Sequence, residues 1–307
     1  MMTLLKFSLA ALVVLAPALH LSSGNCSIAA NTLSPSPSVE AQETTEEPSM
    51  LIQYLEIVSA DADATCSLLE QVHGVSFGEL DASLGNARTA ALKGGGRISV
   101  RAPLAEHDTP IVRPYLLVED IQAAVTAAEA AGGEFAMRTT EIPGHGKFAI
   151  YFLAGTQFGL WETPPSKASA ADAAPPAPIE AQAAKKEKAV LVQYLEIVSA
   201  DVDTTCSVLS KVHGVTFGEP DAGLGNARTA TLKSGGMIGV RASMAEHDVP
   251  IVRPYVLVED IKAATSAAEE AGGEFAMRAT QLPGHGTFAI YFLAGTQFGL
   301  WEMPSTK

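Results

Sequence analysis

Cysteine is scarce in this chain: Cys26, Cys66 and Cys206 are the only three in 307 residues. Cys66 and Cys206 fall at equivalent places in two similar halves, so no disulfide can form inside a half, and a bridge between halves is the one pairing left open. A lone cysteine in an apolar helix is expected to be a buried free thiol, behaving as a small hydrophobe. Positive charge is also short, with 20 Lys and Arg against 34 Asp and Glu, a net charge of -14 and a pI near 4.9. That deficit removes the basic face that phosphate-backbone binding requires, so nucleic acid is not an expected partner. Aromatic residues make up 6% of the chain, and there are two tryptophans. No apolar run reaches the roughly 20 residues of a membrane-spanning helix. The longest near the N-terminus, "FSLAALVVLAPAL" at 7–19, follows Lys6 and is broken by Pro17. It reads as a secretory signal over residues 1–30, with cleavage after Ala30 or Ala41, which implies a periplasmic or secreted protein with no further membrane contact. Asn25 precedes Cys26 where a lipoprotein needs a small residue, so a lipid anchor is not expected. Phosphate-loop, nucleophile-triad and Cys/His zinc spacings are missing as well: "GGG" at 94–96 lacks the following Lys-Ser/Thr and reads as a hairpin turn.

What is present is a duplication. Shifted by 140 positions, Gln53–Glu162 superimposes on Gln193–Glu302 without a gap, with about 24 differences in some 110 positions. With 47% hydrophobic and 18% charged residues, each half can bury its own core. The expected organisation is a disordered leader at 31–50, a first domain at 51–163, a Pro/Ala-rich linker at 164–189 and a second domain at 190–304.

Each half contains a weaker internal repeat. "QYLEIVSADADATCSLLEQVHG" and "RPYLLVEDIQAAVTAAEAAGG" both run from a β-branched strand through an Asp to a helix that stops at glycine. Short β-like runs follow: "NARTAALK" and "RISVRA" in the first, "FAMRTT", "KFAIYFL" and "FGLWE" in the second. The unit is βαβββ, used four times. The fold class is therefore α+β: two tandem domains, each a pair of βαβββ modules forming a cupped mixed sheet.

Paired modules of this length, with the segment "YLLVEDIQAAVTAAEAAGGEF…PGHGKFAIYFLAGTQFGLWE", resemble the vicinal oxygen chelate superfamily of glyoxalase I, bleomycin-resistance proteins and extradiol dioxygenases. The resemblance covers nearly all of residues 53–162 and 193–302. It implies a divalent metal held by four side chains, His, Gln or Glu, from the first and last strands of each module. The matching positions here are Gln53, Ser99, Arg113 and Gly159, then Gln193, Gly239, Arg253 and Gly299. One donor in four does not hold a cation, and a guanidinium has no lone pair to give. No cofactor is therefore expected, and a divalent metal requires a shifted register that brings Glu56 and Glu162 into the cup.

Strand alternation then fills the cup with Gln53, Leu55 and Ile57, with Arg113, Tyr115 and Leu117, with Ser99 and Arg101, and with Gly159 and Trp161. The second domain supplies Gln193, Leu195, Arg241, Arg253, Tyr255 and Trp301. An apolar wall with two arginines suits a small anionic or aromatic ligand. The arginines could equally be paired with Glu56, Glu162 or Glu119 and merely close the cup. Three functions stay open: a metal-free binding protein, a metal-dependent lyase, isomerase or dioxygenase, and a non-catalytic assembly protein whose two domains dock. His107 and His145 read as exposed loop residues, and His73 as a helix C-terminal cap on the dipole.

Overall fold

The computed structural model describes residues 49–165 and 188–305. The segment read as a signal, Cys26, and almost all of the expected leader and most of the expected linker lie outside the described residues. The first half runs β1 (Ile52–Val58), α1 (Ala62–His73), β2 (Arg88–Ala91), β3 (Arg97–Arg101), β4 (Ile111–Leu117), α2 (Ile121–Ala130), β5 (Glu134–Ile142), β6 (Gly146–Leu153) and β7 (Thr156–Glu162). The second repeats it: β8 (Val192–Ser199), α3 (Val202–His213), β9 (Arg228–Thr231), β10 (Met237–Ala242), β11 (Ile251–Leu257), α4 (Ile261–Glu270), β12 (Glu274–Leu282), β13 (Gly286–Leu293) and β14 (Thr296–Glu302).

Each helix starts on an aspartate whose carboxylate accepts backbone N–H bonds of the first turn: Asp61, Asp120, Asp201 and Asp260. α1 and α3 stop at Gly74 and Gly214, both left-handed. The first half forms one seven-stranded mixed sheet in the order β2-β3-β1-β4-β7-β6-β5, and the second forms its counterpart. β1 and β4 lie antiparallel at the centre, while β1/β3 and β4/β7 pair parallel. The two modules of a half are not identical. The second is βαβββ, but the first has only two strands after its helix. In place of a third strand, Asp81 caps a short 3-10 turn (Ala82–Leu84), and Gly85 and Asn86 take left-handed conformations that no strand accommodates.

One face of each sheet packs on the helices. Leu55, Ile57, Leu116, Phe158 and Leu160 belong to a core shared by both halves, in which α1 packs on α4 and α2 on α3. Backbone bonds cross between the halves in symmetric pairs. Met50 N donates to Thr231 O at 3.1 Å and Val190 N to Ala91 O at 2.9 Å, so the residues leading into β1 and β8 each extend the other half's sheet. Ala60 N donates to Ala294 O and Ala200 N to Ala154 O, both at 3.0 Å. The halves are thus docked through an approximate twofold, and each turns the opposite, concave sheet face away from the shared core.

Cys66 and Cys206 are buried free thiols, and burial pushes them up to about 12 and about 11. His73 departs from the expected charged cap. Its ring nitrogens are buried with no hydrogen-bond partner, and burial, aided by the nearby Lys188 charge, lowers its pKa to about 4. A helix C-terminus favours the charged ring by only about 0.3–1 kcal/mol, and desolvation wins. No helix among the described residues is long and apolar enough to cross a membrane.

Candidate functional site

The register between β1 and β4 decides which side chains enter the cup. Tyr54 pairs with Tyr115 and Glu56 with Arg113, but Ile52 pairs with Leu116, so Gln53 is an extra residue opposite none. This β-bulge reverses the phase of β1. Ile52 and Leu55 both join the helix-side core although they are three residues apart, and Tyr54 and Glu56 take the concave face. The expected inward positions Gln53, Leu55 and Ile57 are therefore corrected, and so are Gln193 and Leu195, because the same shift occurs in β8. Arg101, Arg113, Tyr115 and Trp161 stand in the cup. Ser99 is fully buried on the same face. Its hydroxyl meets no partner in good hydrogen-bond geometry, although it faces Tyr54 closely enough to favour the phenolate slightly against the dominant upward effect of burial.

The first cup encloses about 390 Å³. Its wall is aromatic and aliphatic. Tyr54 stacks on Trp161 with ring centroids 5.1 Å apart, and Tyr115 meets both edge-on at 5.6 and 5.8 Å. Phe148, Ile150, Leu84 and Ile142 complete it. Gly159 makes this possible: a Cβ there would lie 1.9 Å from the Tyr115 ring. Substituting Gly159 by alanine is expected to destabilise the protein by about 1–3 kcal/mol through overpacking, read as a lower urea midpoint. An unchanged midpoint would mean that Tyr115 is free to move aside.

The polar end of the cup is a closed ion network. Arg101 Nε donates to Glu56 Oε1 at 2.7 Å, Arg113 Nη1 donates to Glu56 Oε2, and the Tyr115 hydroxyl donates to the same oxygen at 3.0 Å. Arg101 Nη1 reaches Asp108 Oδ2 at 2.5 Å and the Ala102 carbonyl at 3.1 Å. Arg113 Nε and Nη2 both donate to Gln157 Oε1, at 3.1 and 2.6 Å. Burial pulls both guanidiniums down, yet Glu56 and the hydrogen bonds around them prevail and hold them above the ordinary range. Burial also opposes ionisation of Asp108, but the bonds from Arg101 and the Leu104 backbone N–H prevail and keep it below the usual carboxylate range. Two arginines against two carboxylates leave the network neutral. The second half repeats it with Glu196, Arg241, Arg253, Tyr255, Asp248 and Gln297.

These residues do not fit a divalent cation. The network's one central carboxylate, Glu56, is held by two guanidiniums that would repel a metal, and the space at Gly159 belongs to the Tyr115 ring. Among the described residues no three His, Cys, Asp or Glu side chains converge as ligands. Glu162 stays outside the cup: its carboxylate accepts from the Ile121 N–H at the start of α2 at 2.9 Å and from Lys147 at 2.7 Å. His145 is no free loop residue, since its ring lies 3.1 Å from Asp81 and its carbonyl accepts the Trp161 indole N–H. Glu56, Asp108, Gln157 and Phe148 are the members that the strand count missed. For Glu56 the signal existed, three residues beyond Gln53, but it needed the bulge.

Two mixed sheets of this order, each with a cup on the face turned from the helices, have the architecture that the sequence resemblance implied. Solved structures with the same architecture include a variant of 4-hydroxymandelate synthase from Streptomyces coelicolor, at 15% identity and a TM-score of 0.53 over 85% of this chain and 94% of that one. The 2,3-dioxygenase LapB from Pseudomonas sp. KL28 matches at 13% identity and TM-score 0.54, covering 84% of this chain and 93% of its own. A Mn(II)-bound glyoxalase from Novosphingobium aromaticivorans matches at 15% and 0.52, covering 82% and 81%. At these identities the likeness is one of fold. No family's sequence model matches the chain, and no curated protein sequence does.

Proposed function

We propose that this chain is an exported, metal-free binding protein that takes a small, flat, uncharged aromatic molecule in its cup. The observation that carries this reading is a cavity of about 390 Å³ with a four-ring wall over a self-neutralised ion network. A cup filled by its own side chains, as a purely structural role would have it, leaves no such volume. A carboxylate ligand loses the support that two arginines first gave it. Both are already paired, and an incoming anion would meet Glu56 and Asp108 as well. An uncharged ring with one hydroxyl suits the site better, stacking on the wall and sharing a hydrogen bond at the polar end. The apolar segment at 7–19 supports export.

The test is a thermal-melt panel on the full chain with phenol, 2-naphthol, indole, benzoate and 2-naphthoate. At about 100 times Kd a ligand adds about 2.7 kcal/mol, which for a chain of this size is a rise of several degrees. The uncharged compounds are expected to raise the midpoint and their carboxylate counterparts to do less. A flat response to the whole panel overturns the proposal.

A further inference from the structure

The two cups, built by near-identical sequences, are not equivalent. Several of the differences between the halves fall at the cup, among them Leu104 against Met244, Ile142 against Leu282 and, beneath the aromatic wall, Ser99 against Gly239. The last changes the geometry most. In the first half the Ser99 side chain occupies the floor, and Tyr54 stands against Trp161 with rings 5.1 Å apart at 27°. In the second half the floor is bare. A Cβ at Gly239 would lie 2.3 Å from the Tyr194 hydroxyl oxygen and 2.4 Å from its ring, so the phenol head of Tyr194 sits where the serine side chain would begin. Its ring has turned out of the stack, to 51° and 5.5 Å from Trp301 and from 72° to 45° against the neighbouring tyrosine.

The turn has two consequences. The Tyr194 hydroxyl is buried with no hydrogen-bond partner, an arrangement that a bound ligand does not repair because the group faces the sheet. Around the turned ring the side chains are also more covered: Tyr54, Trp161 and Arg101 keep 6%, 5% and 7% of their surface, against 3%, 2% and 3% for Tyr194, Trp301 and Arg241, while Glu196 and Tyr255 match their counterparts. The rim is alike in the two cups, with Leu104 over Gly85 and Met244 over Gly225, 3.2 and 2.9 Å from the Cβ positions there. Floor and wall are what differ.

We infer that the first cup is the binding cup, that the second is a closed copy held for docking, and that Ser99 is the residue that sets the difference by propping Tyr54 into the stack. This rests on the aromatic-ligand reading above. It predicts that Ser99 acts as a positioning residue, through Tyr54, without touching the ligand.

The chain carries its own reporters, because its two tryptophans, Trp161 and Trp301, lie one in each cup. The full-length W301F variant reports the first cup alone and W161F the second, by quenching of tryptophan fluorescence on titration with 2-naphthol. Saturable quenching is expected for Trp161, and binding weaker by about two- to ten-fold for Trp301, the size of one lost stacking contact. Ser99→Gly in the W301F chain is expected to weaken the first response towards the second. Gly239→Ser in the W161F chain is expected to strengthen the second. Equal affinities at both tryptophans, or no movement with either floor substitution, overturn the inference and leave the aromatic-ligand reading standing. If neither tryptophan responds, that reading fails and takes this one with it.

Discussion

Replacing Glu56 by alanine is expected to lower the stability of the whole protein by about 3–5 kcal/mol, the cost of removing one partner from a buried ion pair. Glu56 retains 6% of its surface, and it is the carboxylate that Arg101 and Arg113 share. Without it, two guanidiniums face each other at the end of an apolar cup, with Asp108 and Gln157 as their remaining partners. Equilibrium urea unfolding reads the loss as a lower midpoint. The loss is not the net worth of the network, because desolvating four charges costs much of what their attraction returns. A quadruple variant with Glu56→Leu, Arg101→Met, Arg113→Met and Asp108→Asn, which removes all four charges, is therefore expected to recover much of the stability. A loss under about 1 kcal/mol for the single variant, the size of an exposed pair, would mean that water reaches the network.

The second large effect is acid loosening of the contact between the halves. His73 and His213 end α1 and α3 at equivalent interdomain clefts, and both are lowered to about 4, chiefly by burial. Around His73 stand Lys188, Lys93, Glu259 and Asp260; around His213 stand Lys211, Lys233, Glu119 and Asp120, with a backbone hydrogen bond to Leu117. In the unfolded chain both imidazoles take up protons near pH 6.5, whereas the folded protein resists until about pH 4. The unfolded state binds more protons throughout that window, so stability is full above it and falls as the pH drops through it. The limit is on the order of 3 kcal/mol per histidine at one pKa unit per 1.4 kcal/mol. Asp108 and Asp248, held low by their arginines, lose their contribution only below about pH 4, so the two effects separate. Urea midpoints from pH 7.5 to 4.5 should fall steadily for the native chain and stay level for His73→Leu/His213→Leu. Parallel slopes for the two proteins would refute the assignment.

How far the sequence could be read follows from the range of each signal. The helices were legible because their starts and stops are local: an aspartate before each, a glycine after it. β4 was legible because Arg113 and Tyr115 alternate regularly with the core residues Val112 and Leu116. β1 was not, because a single extra residue at Gln53 inverts a period-2 pattern, and nothing in "IQYLEIV" announces a bulge. The ion network was legible only as an alternative: pairing of the two arginines with Glu56 was anticipated and is what the structure has, but Glu162 and Glu119 stood as equal candidates. Glu56 lies 45 residues from Arg101 and 57 from Arg113, and only the sheet order brings them together. The missing third strand of the first module was written locally, in Asp81 and the Gly85-Asn86 turn, but a repeat pattern invites symmetric reading.

The ion network of each cup is neutral and built on paired arginines, and the proposed function has it standing there without a metal. The most direct measurement is the metal content, by mass spectrometry, of the full chain produced in medium supplied with zinc, nickel, iron and manganese. The account predicts far less than one ion per domain. Near-stoichiometric metal in either half would contradict it, because no cation binds beside Glu56 unless Arg101 and Arg113 first let go.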